Sequence, residues 1–141
     1  MKLSPLGWDE VEQLVNEVYK KIQASNWEPD VIVGLSRGGF IPATMLAYKL
    51  QVATLVGLDV IKDDSGKRAR GSVVSLGDVQ GKKVLVVDDS TISGRLLRIV
   101  PEEVSTRGGE PRSCALISLG QCDEPDYLAK TETSLPLFPW E

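Results

Sequence analysis

Histidine is absent from the 141 residues, and cysteine occurs only twice. Without an imidazole, Ser-His-Asp and Cys-His nucleophilic catalysis are excluded. Cys114 and Cys122 stand seven residues apart with no second pair, so neither a zinc site nor a disulfide framework is implied, and a cytoplasmic chain is the simplest reading. No apolar run approaches the roughly 20 residues that span a bilayer, and the N-terminus has no signal-peptide pattern, so no membrane role is expected. Basic charge is also short: 16 Lys and Arg against 20 Asp and Glu leave a net charge of −4, which argues against nucleic-acid binding. Repeats and low-complexity tracts are missing. What remains is ordinary globular material, 42% hydrophobic and 26% charged, read as one domain over residues 1–141. Its chemistry has to rest on carboxylates, hydroxyls, Lys, Arg and metal.

The densest chemistry lies in Val84 to Leu97, VLVVDDSTISGRLL. Its apolar opening suits a strand covered on both faces of a parallel sheet, since a half-wet strand would alternate. Asp88 and Asp89 then fall at the strand's carboxyl end, where open α/β sheets bind ligands. Paired carboxylates grip vicinal hydroxyls or hold Mg2+, while Thr91, Ser93 and Gly94 offer hydroxyls and a close backbone to a phosphate. Taken alone, the segment is equally an ordinary strand end with helix-capping residues.

Asp30 to Ala43, DVIVGLSRGGFIPA, repeats the pattern. Val31 to Leu35 reads as a second buried strand, Gly38-Gly39 as a sharp turn, and Phe40 to Leu50 as a helix whose N-terminus attracts anions. Arg37 adds a permanent charge and a planar donor fork. Helical spacing also marks Trp8 to Ala24 and about Ser93 to Arg107. Further strands are expected at Thr54 to Ile61, Ser72 to Leu76, Lys83 to Val87 and Ser113 to Leu119. Pro101 predicts a kink or break near Val100, and Gly108-Gly109 the helix end. The order implies an α/β fold with a parallel-dominated sheet flanked by helices.

Together these motifs resemble the type I phosphoribosyltransferases, whose acidic pair and Thr/Gly-rich turn bind phosphoribosyl pyrophosphate. Ser36, Arg37, Gly38 and Gly39 match the family's pyrophosphate loop. The C-terminal LFPWE, Leu137 to Glu141, resembles the purine-binding hood of the xanthine/guanine enzymes, which implies Trp140 as a platform for the base. The charged segment Lys62 to Gly71 falls at the family's flexible flap, with Lys67, Arg68 and Arg70 as its anion contacts. The resemblance covers about Trp8 to Glu141. It implies the type I fold with a small hood of terminal segments, and an Mg2+-dependent transfer of ribose 5-phosphate to a 6-oxopurine. Asp88, Asp89 and Arg37 would be catalytic, with Asp89 reaching the metal. Thr91, Ile92, Ser93, Gly94, Arg95 and Leu96 would hold the 5-phosphate turn. A homodimer or higher homo-oligomer is the family habit.

Three departures fall on the base side or in the phosphate turn. Ile92 stands where purine enzymes commonly carry an Asp, Leu96 replaces the turn's last Thr, and Ala115 to Asp123 lacks the usual Lys, leaving Ser118 or Gln121 as substitutes. Two other readings therefore accompany the first: a non-catalytic binder of nucleotide or phosphoribosyl pyrophosphate on the same fold, and a transferase acting on a non-purine acceptor.

Overall fold

The computed structural model describes residues 5–35, 37–59, 76–121 and 123–141. Three helices, α1 (Trp8–Ala24), α2 (Phe40–Leu50) and α3 (Leu96–Thr106), are interleaved with five strands: β1 (Val31–Leu35), β2 (Thr54–Leu58), β3 (Lys83–Thr91), β4 (Glu110–Ser118) and β5 (Tyr127–Thr131). Among the described residues all strand pairs are parallel, in the order β2-β1-β3-β4-β5. The chain leaves β1 toward β2 on one side and returns to β3 on the other, so the switch point, where such sheets open a crevice for ligands, lies between β1 and β3.

The unbroken apolar runs of the two central strands are explained by burial on both faces. Ile32, Leu85 and Val87 join the cluster under α1 and α2, whereas Val31, Val33, Val84 and Val86 join the cluster under α3. Alternate residues thus feed alternate layers, as strand geometry requires. Asp30 ties the two strand starts together: its carboxylate accepts the Lys83 N–H at 2.9 Å and its own N–H donates to Lys83 O at 2.8 Å.

α1, β1 and α2 have the bounds read from the sequence. Elsewhere the structure differs. β3 runs four residues beyond Val87, because pairing with β4 continues through Thr91↔Ser118 after the apolar run has ended. Asp88 and Asp89 are therefore the sixth and seventh residues of a nine-residue strand. β2 stops at Leu58, and β4 begins at Glu110, ahead of the apolar residues that mark it in the sequence. β5 is an addition to the expected strands, a short edge segment whose Leu128 carbonyl accepts a hydrogen bond from Lys21 Nζ. α3 is one continuous helix through Pro101, since a proline there removes a single N–H from the ladder and the helix keeps Val100 and Val104 buried on either side of it. It ends before Gly108, which takes the left-handed φ of 85° that a glycine tolerates. The expected strand at Ser72 to Leu76 lies, apart from Leu76, outside the described residues.

Cys114 is fully buried at the centre of β4. Burial pushes its thiol well above the ordinary range, and the neighbouring Asp88 charge adds to the effect. In a Cys122→Ser background Cys114 is expected to resist a thiol reagent in the native protein and to react fully in denaturant. Fast native labelling would contradict this packing.

Candidate functional site

Two helix N-termini point at the switch point. α2 starts from Gly39 and α3 from Arg95, and neither receives a side-chain cap. α1 likewise has no cap from the side chain of its N-cap residue, Gly7, whose own N–H donates to Glu10 Oε1 at 3.1 Å. The Phe40 N–H is taken by Arg37 O and Pro42 has none, so the first turn of α2 offers the Ile41 N–H and that of α3 the Leu96 and Leu97 N–H groups, with the positive dipole ends, to an anion.

Glycine is required where the first turn meets β3. A Cβ on Gly39 would lie 2.6 Å from Val87 O, 2.7 Å from Leu35 O and 2.8 Å from the Asp88 Cα, all backbone atoms with no room to give. Gly38 faces a side chain instead, and a Cβ there would overlap the Asp89 carboxylate. Arg37 is exposed in the turn between them and β1, its carbonyl accepting the Phe40 N–H at 3.1 Å. Ser36 lies outside the described residues, as do Lys67, Arg68 and Arg70.

The two acidic residues occupy different surroundings. Asp88 Oδ1 accepts the Asp89 N–H at 2.8 Å, beside Cys114. Asp89 Oδ1 accepts the Ser90 N–H at 2.7 Å, and its Oδ2 accepts the indole N–H of Trp140 at 3.2 Å. Both carboxylates are half-buried, which strengthens any hydrogen bond or ion they hold. Among the described residues no three acidic or sulfur ligands converge on one point. Two adjacent carboxylates nevertheless suit Mg2+, which takes one or two protein oxygens and completes its shell with water and substrate phosphate.

Beyond the acidic pair, Thr91 is buried, and its carbonyl accepts the Leu119 N–H at 3.2 Å. Ser93 Oγ accepts the Arg95 N–H at 3.3 Å, and Gly94 has a φ of 74°. Thr91, Ser93 and Gly94 line a cavity of about 370 Å³, which also contains Arg98 and Gln121. Leu96 turns its side chain into the α3 cluster, so only its backbone is left to serve a ligand. Ile92 is 46% exposed.

Trp140 reaches the site through a hood made from both chain ends. Pro5 and Leu137 form a parallel bridge, with the Leu6 N–H donating to Leu137 O at 2.8 Å. Trp140 stacks on Phe138 at 4.7 Å and 9°, and Trp8 packs against it at 5.8 Å and 51°. Glu141 closes the turn, its Oε1 accepting the Phe138 N–H at 2.9 Å. Phe138 and Glu141 lie in the hood motif read from the sequence without a role of their own, whereas Trp8 beside Trp140 and Arg98 in the cavity were not anticipated. An acidic residue following the Trp was the one available signal, for Glu141. Trp8 reads from sequence only as a helix start.

These features define a parallel α/β domain with an acidic pair and two anion-facing helix starts at its switch point. The chain belongs to the phosphoribosyl transferase domain family, whose model matches residues 7–141. It is similar to the purine phosphoribosyltransferase structure from Pyrococcus horikoshii Ot3, with a TM-score of 0.86 and 31% identity over 100% of this chain and 95% of that one. It is also 32% identical over 120 residues to an orotate phosphoribosyltransferase of Pyrobaculum aerophilum, covering 84% of this chain and 60% of that protein. A transcriptional regulator GfcR of Methanococcoides burtonii is 30% identical over 108 residues, covering 75% of this chain and 53% of the regulator. The chain thus spans little more than half the length of these curated relatives. The fold is that of the type I phosphoribosyltransferases, as the motifs implied.

Substituting the two turn glycines should separate folding from binding. Gly39→Ala is expected to destabilise the protein by about 1–3 kcal/mol in denaturant titrations, because backbone would have to move. Gly38→Ala should leave the unfolding midpoint nearly unchanged and weaken phosphoribosyl pyrophosphate binding at least about tenfold, by rotating Asp89 away. Equal destabilisation by both would refute the distinction.

Proposed function

We propose that this chain is an Mg2+-dependent purine phosphoribosyltransferase, acting as one domain over residues 1–141 and joining a 6-oxopurine to ribose 5-phosphate with release of pyrophosphate. The observation that carries the reading is the meeting of Gly38, Asp89 and Trp140: pyrophosphate turn, acidic pair and aromatic hood converge within hydrogen-bond reach. Similarity to the Pyrococcus purine enzyme over nearly the whole of both chains supports it.

In this reading Ser36, Arg37, Gly38 and Gly39 take the pyrophosphate, and the flap cations Lys67, Arg68 and Arg70 close over it. The turn from Thr91 to Leu96 takes the 5-phosphate on the N-terminus of α3, with Arg95 beside it. Asp88 and Asp89 accept the ribose hydroxyls. Breaking the bond from C1′ to pyrophosphate leaves positive charge on the sugar, which the two carboxylates stabilise, and the new bond forms from a purine nitrogen whose proton passes to the leaving pyrophosphate or to solvent. Asp89 is the residue to hold Mg2+, which when bound neutralises charge on the pyrophosphate. Trp140 offers an indole face to the base, a contact worth roughly 1–3 kcal/mol. The partner chemistry is phosphoribosyl pyrophosphate and a base, in a cytoplasmic homodimer or higher homo-oligomer. No helix among the described residues is long and apolar enough to cross a membrane.

Isoleucine at position 92 favours a second reading, because its hydrocarbon side chain can neither accept nor donate a proton for the base. A binder without turnover fits that, and a regulator among the relatives supports it. The orotate enzyme among them keeps a non-purine acceptor as a third.

Pyrophosphate release should be measured with Mg2+, phosphoribosyl pyrophosphate and guanine, xanthine, hypoxanthine, adenine, uracil or orotate in turn. Release with a 6-oxopurine, reduced at least about a hundredfold in Asp88→Asn/Asp89→Asn protein, is expected. Release with orotate or uracil alone would select the non-purine acceptor. Ligand binding without release on any base would select the binder.

A further inference from the structure

Trp140 uses its edge as well as its face. A tryptophan serving only to stack on a base needs an open ring surface, and its N–H can be left to water at a half-exposed site. Here the N–H is instead aimed at Asp89 Oδ2, 3.2 Å away. The opposite carboxylate oxygen is held by the Ser90 N–H at 2.7 Å. Two donors on two oxygens fix the plane of the carboxylate. The Ser90 hydroxyl adds a longer contact to Oδ1 at 3.4 Å, so the acceptor position left open to a ribose hydroxyl or a cation is the second one on Oδ2, beside the indole N–H. Gly38 supplies the space, because any side chain at that position would displace Oδ2.

The donor is itself immobilised. Its ring lies flat on Phe138, which is 3% exposed and belongs to the main core cluster. Glu141 links back to Phe138 in both directions, its N–H donating to Phe138 O at 3.0 Å and its carboxylate accepting the Phe138 N–H. The bridge between Pro5 and Leu137 anchors the same strand of the hood. A rigid line of contacts therefore runs from the core through Phe138 and Trp140 to Asp89.

We infer that the indole N–H of Trp140 is a positioning group for Asp89, preorganising the carboxylate for the sugar and its cation and coupling hood placement to that subsite. The inference rests on the reading of Asp89 as a phosphoribosyl ligand, but it does not require turnover. Trp140→Phe removes the N–H and keeps an aromatic face, whereas Trp140→Ala removes both.

Calorimetric titration with phosphoribosyl pyrophosphate and Mg2+, without base, should show affinity reduced about fivefold to tenfold in both variants, the loss of one charge-assisted hydrogen bond. The KM for base should rise much more in Trp140→Ala than in Trp140→Phe. Wild-type affinity or tighter binding in Trp140→Phe would overturn the inference even if the wild-type protein releases pyrophosphate. Reduced affinity in Trp140→Phe with no release on any base would defeat the transfer reading and leave the inference standing. No binding by the wild-type chain would overturn both. As a check independent of hood variants, the Trp140 indole proton in wild-type protein should stay protected from solvent exchange when ligand and Mg2+ are added. Faster exchange in the complex would show the contact breaking, which also overturns the inference.

Discussion

The backbone of Gly39 lies directly against the backbone of β3, and the site depends on that contact. Parallel pairing sets Gly34 beside Val87, so β1 ends one residue further on, at Leu35, while β3 continues to Thr91. The turn after β1 then has to fold back across β3 at Val87 and Asp88 to start α2. Gly39 makes this possible by hydrogen bonding to Leu35 O at 2.9 Å while approaching Val87 O and Asp88 closer than any side chain would permit. Every larger residue would lift the start of α2 away from the acidic pair. The hydrophobic layers above and below the sheet hold the two strands rigid enough for that approach to be kept.

Charge at this crevice is arranged in opposition. Two half-buried carboxylates sit between two uncapped helix N-termini, so a ligand there meets negative and positive ends a few ångströms apart. A simple anion would be repelled by the carboxylates, and a simple cation by the helix dipoles. A molecule with phosphate at two ends and hydroxyls between them satisfies both. The chain's overall charge of −4 is no obstacle, because the attraction is built from backbone N–H groups and local arginines rather than from net charge.

The parts of this arrangement carried by local pattern were legible in the sequence. Val31 to Leu35 followed by a glycine pair and an apolar helix has one sensible folding, and the structure reproduces it to the residue. The extension of β3 to Thr91 was not legible, because its last four residues are polar and their strand state comes from pairing with β4. β5 was missed for a related reason: Tyr127 to Thr131 is a short edge strand with three of its five residues not buried, and it follows its partner β4 without the crossover helix that marks a parallel pair in sequence. Pro101 misled in the opposite direction, since tertiary packing of Val100 and Val104 outweighs one missing hydrogen bond. Leu96 was placed in the phosphate turn by its position in the motif, and its half-buried side chain packs against the cluster under α3.

The hood shows why some site residues escape any local reading. Trp8 and Trp140 are brought together only because the two ends of the chain pair at Pro5 and Leu137. Nothing near either tryptophan announces the other. Once they meet, Phe138 stacks on one face of Trp140 and Trp8 packs against it at a tilt, while its edge is turned to Asp89. The departures from the family pattern can be weighed against this geometry. Leu96 is explained by packing and leaves the phosphate turn's backbone intact. Ile92 has no such explanation, because an isoleucine 46% exposed adds little to the core. The polar framework for a phosphorylated sugar is thus retained, while the one apolar substitution that packing does not account for stands in the same turn. In the proposed reading, chemical selectivity is therefore to be sought at Ile92 and the hood, and the holding of the sugar at Gly38, Gly39 and the two aspartates.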